Sequence, residues 1–109
     1  ANQQGSTFTL ISGGAGETCY SPESGLTTLG AAAVYGLSLA LRAEYTKSAV
    51  RLNELRISVK IERDENLKLP YQHSHLKVGE ALTGVVHSNK KGEVIPIKSA
   101  DDLANLAKL

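Results

Sequence analysis

"AVRLNELRISVKIER", Ala49–Arg63, decides the fold class. From Leu55 onward, Leu55, Ile57, Val59 and Ile61 alternate with Arg56, Ser58, Lys60 and Glu62. A period of two puts one row of side chains in a core and leaves the other wet, the mark of a half-buried β-strand. Val50 and Leu52 fall on the opposite parity, so the pattern slips at Asn53–Glu54. A β-bulge, or a strand that leaves the main sheet and continues at its edge, would produce that slip.

Working outward from this strand, elements alternate. Upstream, "STFTLIS" (6–12) is rich in Thr, Phe, Leu and Ile and reads as a strand buried on both faces. Gly13, Gly14 and Gly16 break it. After a polar segment with Pro22, the stretch 27–45, "TTLGAAAVYGLSLALRAEY", is too long for a strand and predicts a helix capped by Thr27 or Thr28. Its charges come only near the end, at Arg42 and Glu44, so it is expected to be covered on more than one side. Gly30, Ala31–Ala33, Gly36 and Ala40 would admit another element closely.

Downstream, "DENLKLPYQ" is a loop with Pro70, and Ser74 opens a second helix. In that helix Val78, Leu82, Val85 and Val86 share a face, with Lys77, Glu80 and Thr83 turned outward. "SNKKG" is a turn and "EVIPIK" a short strand. Ser99 caps a last helix with Leu103, Leu106 and Leu109 on one side. Strand, helix, strand, helix, strand, helix predicts an α/β fold with parallel strands joined by right-handed crossovers. Three parallel strands make a thin layer whose faces need covering and whose edge stays open. A second chain or another segment is therefore expected to complete the sheet.

Composition narrows the function classes. The 109 residues, 41% hydrophobic and 21% charged, suit a single globular domain, 1–109. A formal charge of +1 with no basic face, and only Phe8 and four tyrosines, argues against nucleic acid. The lone cysteine, Cys19, cannot form an internal disulfide, which fits a reducing, cytoplasmic setting or indifference to redox. No apolar run is read as long enough to span a membrane, and no signal pattern opens the chain.

The ordered series "GSTFTLISGGAG", "GLSLALRAEY", "VRLNELR", "KVGEALTGVV" and "GEVIPI" resembles the second half of a short-chain dehydrogenase/reductase, from Gly5 to about Ser99. The resemblance implies a Rossmann-like three-layer fragment containing parallel strands five, six and seven of that fold. The dinucleotide-binding half, with its glycine-rich turn, would be absent. NAD(P) would bind only if that half were supplied by a missing segment or a second chain, and the isolated chain is expected to take none.

Carrying the family's motif across residue by residue places Gly13 at the serine position, with Ser12 one residue earlier. Thr27 falls at the tyrosine and Ala31 at the lysine. The later Pro-Gly becomes Ile57–Ser58, and Asn53 keeps the family residue. A rival register keeps Tyr20 but sets Ser24 at the lysine and needs extra residues before Gly36. The family's chemistry needs a proton donor whose pKa is lowered by a neighbouring ammonium, which threonine and alanine cannot supply. Ser12 and Tyr20 are the remaining catalytic candidates.

Other reactive residues read more plainly. The glycines predict a tight strand exit rather than a phosphate cradle. His73 and His75 lack a third metal ligand, and His87 suits a helix C-terminus. Cys19 has no nearby cation in sequence to favour a thiolate, and Glu62–Glu65 is a solvated charge run. Two functions follow as expectations. One is an NAD(P)-dependent reductase-like protein acting on a small carbonyl or hydroxyl substrate through an atypical site. The other is a non-redox scaffold, either a cyclase or isomerase pocket or a silent dimerisation subunit, with a homo-oligomer formed through helix 27–45.

Overall fold

The computed structural model describes residues 6–68 and 72–109, so Gly5 and Pro70 lie outside the described residues. The chain is mixed α/β. Its main sheet is parallel, in the order β1 (Thr7–Gly13), β2 (Arg51–Ile57), β5 (Val94–Ile97). The helices are α1 (Gly25–Glu44), α2 (His75–His87) and α3 (Ala100–Ala107). A second parallel pair, β3 (Lys60–Glu62) with β4 (Gln72–Ser74), lies in a stretch expected to hold only the continuing first strand and a loop. The described residues divide into two compact units, 6–57 with Lys90–Ile95, and Ser58–Asn89 with Pro96–Leu109.

In the first unit, β1 and β2 pair without interruption from Thr7↔Arg51 to Gly13↔Ile57. The expected bulge at Asn53–Glu54 is therefore absent, and the ladder runs straight through it. The hydrophobic pattern slips because Asn53 and Glu54 are both fully buried polar residues with partners. The strand does leave the main sheet, but after Ile57, and it resumes as β3. In the row containing Arg56, Ser58 and Lys60 are exposed as expected, but Arg56 itself is half-buried against the Tyr35 ring of α1, 3.7 Å from its centre.

Asn53 has a second use for its burial. Its Nδ2 donates to the Lys90 carbonyl at 3.0 Å, and its Oδ1 accepts from the Glu93 amide at 3.1 Å. Gly92 between them has φ +68°, a left-handed conformation natural to glycine, and donates to the Leu52 carbonyl at 2.9 Å. One buried amide thus pins the loop that leads into β5.

β1 is less buried than its sequence suggests, with Phe8 52% and Ile11 56% exposed, because it lies at the free edge of the described sheet. α1 departs further. It begins at Gly25 after a single 3₁₀ turn at Pro22–Ser24, so neither Thr27 nor Thr28 caps it. Thr28, Ala31, Tyr35, Ser38 and Arg42 recur at three- and four-residue intervals, and this stripe is the sheltered one. Only Ser38 is fully buried. The opposite stripe, Leu26, Leu29, Ala33, Leu37 and Ala40, is exposed, so cover on more than one side is not seen among the described residues. Pro22–Glu44 is also long and apolar enough, by length and composition, to cross a membrane, contrary to the sequence reading. Five leucines and five alanines, with no charge between Ser24 and Leu41, make it so.

In the second unit, Ser74 accepts from the Leu76 amide at 3.1 Å and caps α2, as expected. The helix buries Ala81, Gly84 and Val85, while Val86 turns outward. The expected face is thus rotated toward Gly84, which α3 approaches closely. Ser99 accepts from the Asp102 amide at 3.3 Å, and Leu103 and Leu106 are buried, whereas Leu109 is exposed.

Candidate functional site

In open parallel sheets, ligands bind beyond the carboxyl ends of the strands, where the chain turns out into loops. In the first unit that edge is formed by Gly13 of β1 and Ile57 of β2. The register pairs Ser12 with Arg56 and Leu10 with Glu54. Glu54 and Arg56, two residues apart, share a face of β2, and this face is the one α1 covers.

Four side chains and a ring close this edge. The Ser12 hydroxyl donates to Oε2 of Glu54 at 2.6 Å, and Arg56 Nε donates to the same oxygen at 2.7 Å. Arg56 Nη1 reaches back to Oε1 of Glu17 at 3.1 Å, tying the loop after β1 to the end of β2. The guanidinium lies over the Tyr35 ring, a cation–π contact, while the Tyr35 hydroxyl donates to the Gly13 carbonyl. Glu54 is fully buried; its Oε2 carries both bonds and its Oε1 has no hydrogen-bond partner.

The glycines make this packing possible. Gly14–Gly16 form one 3₁₀ turn, and a β-carbon on Gly16 would lie 2.6 Å from the Tyr35 ring edge and 2.7 Å from the Ala32 amide. Gly16 therefore lets the loop sit flat against α1. The turn is the tight strand exit that the sequence suggests.

Burial pushes the Glu54 carboxyl up, but the hydrogen bonds from Arg56 and Ser12, the nearby Ser38 hydroxyl and the charge of Arg56 outweigh it. The carboxyl therefore sits below its ordinary value of 4.5. Arg56 is held above its ordinary range by its hydrogen bond to Glu54, against the opposing effect of burial. The pair is a standing ion pair and not a proton donor at neutral pH. A depressed folded pKa means the unfolded chain takes up the proton first as pH falls. Glu54 thus adds stability above about pH 4.5 that is lost as pH drops through the folded value. In urea melts between about pH 6 and about pH 3, Glu54→Gln is expected to flatten the acid-side loss of stability. An unchanged slope would show that Glu54 is not the group responsible.

The other sequence candidates do not join this cluster. Tyr20 is 72% exposed and makes no hydrogen bond to Ser12. Thr27 is exposed, and Ala31 offers a methyl where the resemblance would call for an ammonium. The residues present therefore do not fit the chemistry that NAD(P) would bring here. Cys19 is exposed, and its Sγ lies 3.1 Å from the Ser21 carbonyl. His73 lies in β4 and His75 opens α2; no group of metal-ligating side chains occurs among the described residues. Glu17, Tyr35, Glu54 and Arg56 escape a motif-based reading. The one sequence signal for them is the slip at Asn53–Glu54, where two polar residues interrupt a core pattern. Compared with protein-family models, curated proteins and solved structures, the chain gives no match.

Proposed function

We propose that this chain is a non-reducing assembly unit built on the second half of the short-chain dehydrogenase/reductase scaffold it resembles. The observation that carries this reading is the 2.6 Å bond from Ser12 to Glu54. The hydroxyl closest to the serine position donates its hydrogen bond to a buried carboxylate that Arg56 clamps, leaving no O–H free for a substrate carbonyl. What remains available is a surface. No charge occurs on α1 between Gly25 and Leu41, and its outer stripe leaves Leu26 84%, Leu29 67% and Leu37 53% exposed. Gly30, Ala33 and Ala40 on the same side let a second copy approach closely, and a helix set against its own copy buries such a stripe symmetrically.

Sedimentation of the purified chain is expected to give a dimer. Leu37→Glu should weaken it on the order of a hundredfold, because a charge would replace an apolar contact at the centre of the stripe. A monomeric parent, or a dimer indifferent to Leu37→Glu, would overturn the assembly reading. NAD(P)H should show neither binding nor oxidation with small aldehydes and ketones; turnover lost in Ser12→Ala would instead mark a working reductase site. The second reading, an NAD(P)-dependent reductase completed by another polypeptide, is favoured by β1 at the free edge with Phe8 and Ile11 exposed. It requires the chain to gain cofactor binding when mixed with that polypeptide.

A further inference from the structure

At the other end of the first unit, where α1 ends and β2 begins, lies a cavity of about 440 Å³. Its apolar part is formed by Leu39 and Leu52, with the Tyr45 ring beside them; Leu52 is buried and Tyr45 is 46% exposed. Its polar part carries two cations, Arg42 and Lys91. Arg42 Nε donates to Ser38 Oγ at 3.2 Å and Nη1 to the Gly92 carbonyl at 3.3 Å, while Lys91 Nζ donates to the Ser48 carbonyl. All three acceptors are neutral. Among the described residues neither cation has a carboxylate partner, and no acidic side chain lines the cavity.

Such a site is set up to receive a negative charge with an apolar body. Two uncompensated cations beside a low-dielectric wall attract an anion more strongly than they would in open water. The end of a helix would oppose this, but the Thr46 hydroxyl already bonds the Arg42 and Ala43 carbonyls at 3.1 and 2.9 Å and covers the negative end of α1. The wall carrying Lys91 is pre-formed, since Asn53 fixes Lys90 and Glu93 on either side of it. The volume lies within the usual range for small-molecule sites, and the mix of apolar walls with a few polar groups is theirs as well.

We propose that this cavity binds an anionic amphiphile, an aliphatic carboxylate whose head sits between Arg42 and Lys91 and whose chain lies against Leu39, Leu52 and Tyr45. Nothing in this proposal depends on the assembly reading, because Leu39 lies to the side of α1 away from the Leu26–Leu37 stripe.

Calorimetric titration of the full chain with decanoate, below its micelle concentration, is the test. Saturable binding of one decanoate per chain is expected, with decanol binding about tenfold more weakly or worse for want of the charge. Lys91→Met, at an exposed position, should fold normally by circular dichroism and lose about tenfold in decanoate affinity; Arg42→Met should lose at least as much. Leu37→Glu should bind decanoate as the parent does, even where it abolishes self-association. Equal affinity for decanol and decanoate, or parental affinity in Lys91→Met, would overturn the proposal. So would binding confined to phosphatidylglycerol vesicles with none to monomeric decanoate, which would assign the cations to a lipid surface. Loss of decanoate binding in Leu37→Glu would assign it to the helix stripe and overturn the cavity as well.

Discussion

Glu54→Ala is expected to cost the protein about 4 kcal/mol of stability, because removing one partner of a buried ion pair strands the other. Arg56 has only 18% of its side chain exposed and would keep Glu17 alone, which is itself 41% exposed and a weaker partner. Ser12 would lose its acceptor, and a cavity would replace a fully buried side chain. A loss of this size is a large share of the roughly 5–15 kcal/mol that holds a domain folded, and should lower the melting temperature by on the order of 20 °C. Glu54→Gln should cost less, since one amide oxygen can still accept from Ser12 or Arg56.

The informative comparison is the double variant Glu54→Leu with Arg56→Leu. Oε1 of Glu54 already lacks a partner, so the network is incompletely satisfied. A half-satisfied buried network can be less favourable than an apolar core. The double variant is therefore expected to recover most of what Glu54→Ala loses, as replaced buried pairs often do. Thermal and urea denaturation of all four proteins decide the matter. A melting temperature in Glu54→Ala within a few degrees of the parent would mean that the ion pair does not hold the strand ends together.

How far the sequence could be read depends on which physical signal each element sends. Helices α1, α2 and α3 announce themselves by length, and by the serine caps at Ser74 and Ser99, both local signals carried by neighbouring residues. The parallel order follows from strand–helix alternation. Burial is another matter, because it depends on partners distant in sequence. Arg56 sits in the row of side chains that alternation marks as wet, yet α1 covers it through Tyr35, twenty-one positions earlier. Phe8 and Ile11 look like core and are exposed because nothing among the described residues pairs with the free side of β1. β3 and β4 span three residues each, too short to show a period. At the strand-end cluster, Ser12 was visible from its position beside the glycines. Its partner Glu54 is forty-two residues away, and no short motif joins them.

Gly84→Ala sets two opposing effects against each other, and the second is expected to win by a wide margin. Replacing glycine by alanine in the middle of a helix ordinarily gains about 1 kcal/mol. At Gly84, however, a β-carbon would overlap the carbonyl oxygen of Leu106 and come within 2.6 Å of its carbonyl carbon. Both obstacles are backbone of α3, so no rotamer change relieves them and one helix must move away from the other. That movement opens the packing of Ala81 and Val85 against Leu103 and Leu106, the buried residues of the α2–α3 pair. Overpacking of this kind costs about 3 kcal/mol, so the net loss should be about 2 kcal/mol or more. Gly79 lies five residues earlier on the same helix, and a β-carbon there would meet nothing within 4 Å. Gly79→Ala should accordingly stabilise the protein by up to about 1 kcal/mol, the propensity gain alone. Urea melts of the two variants, with amide exchange followed in α3, test the contrast. Equal shifts in the same direction would show that α2 and α3 do not meet at Gly84, whereas a loss confined to Gly84→Ala, with faster exchange in α3, places the contact there.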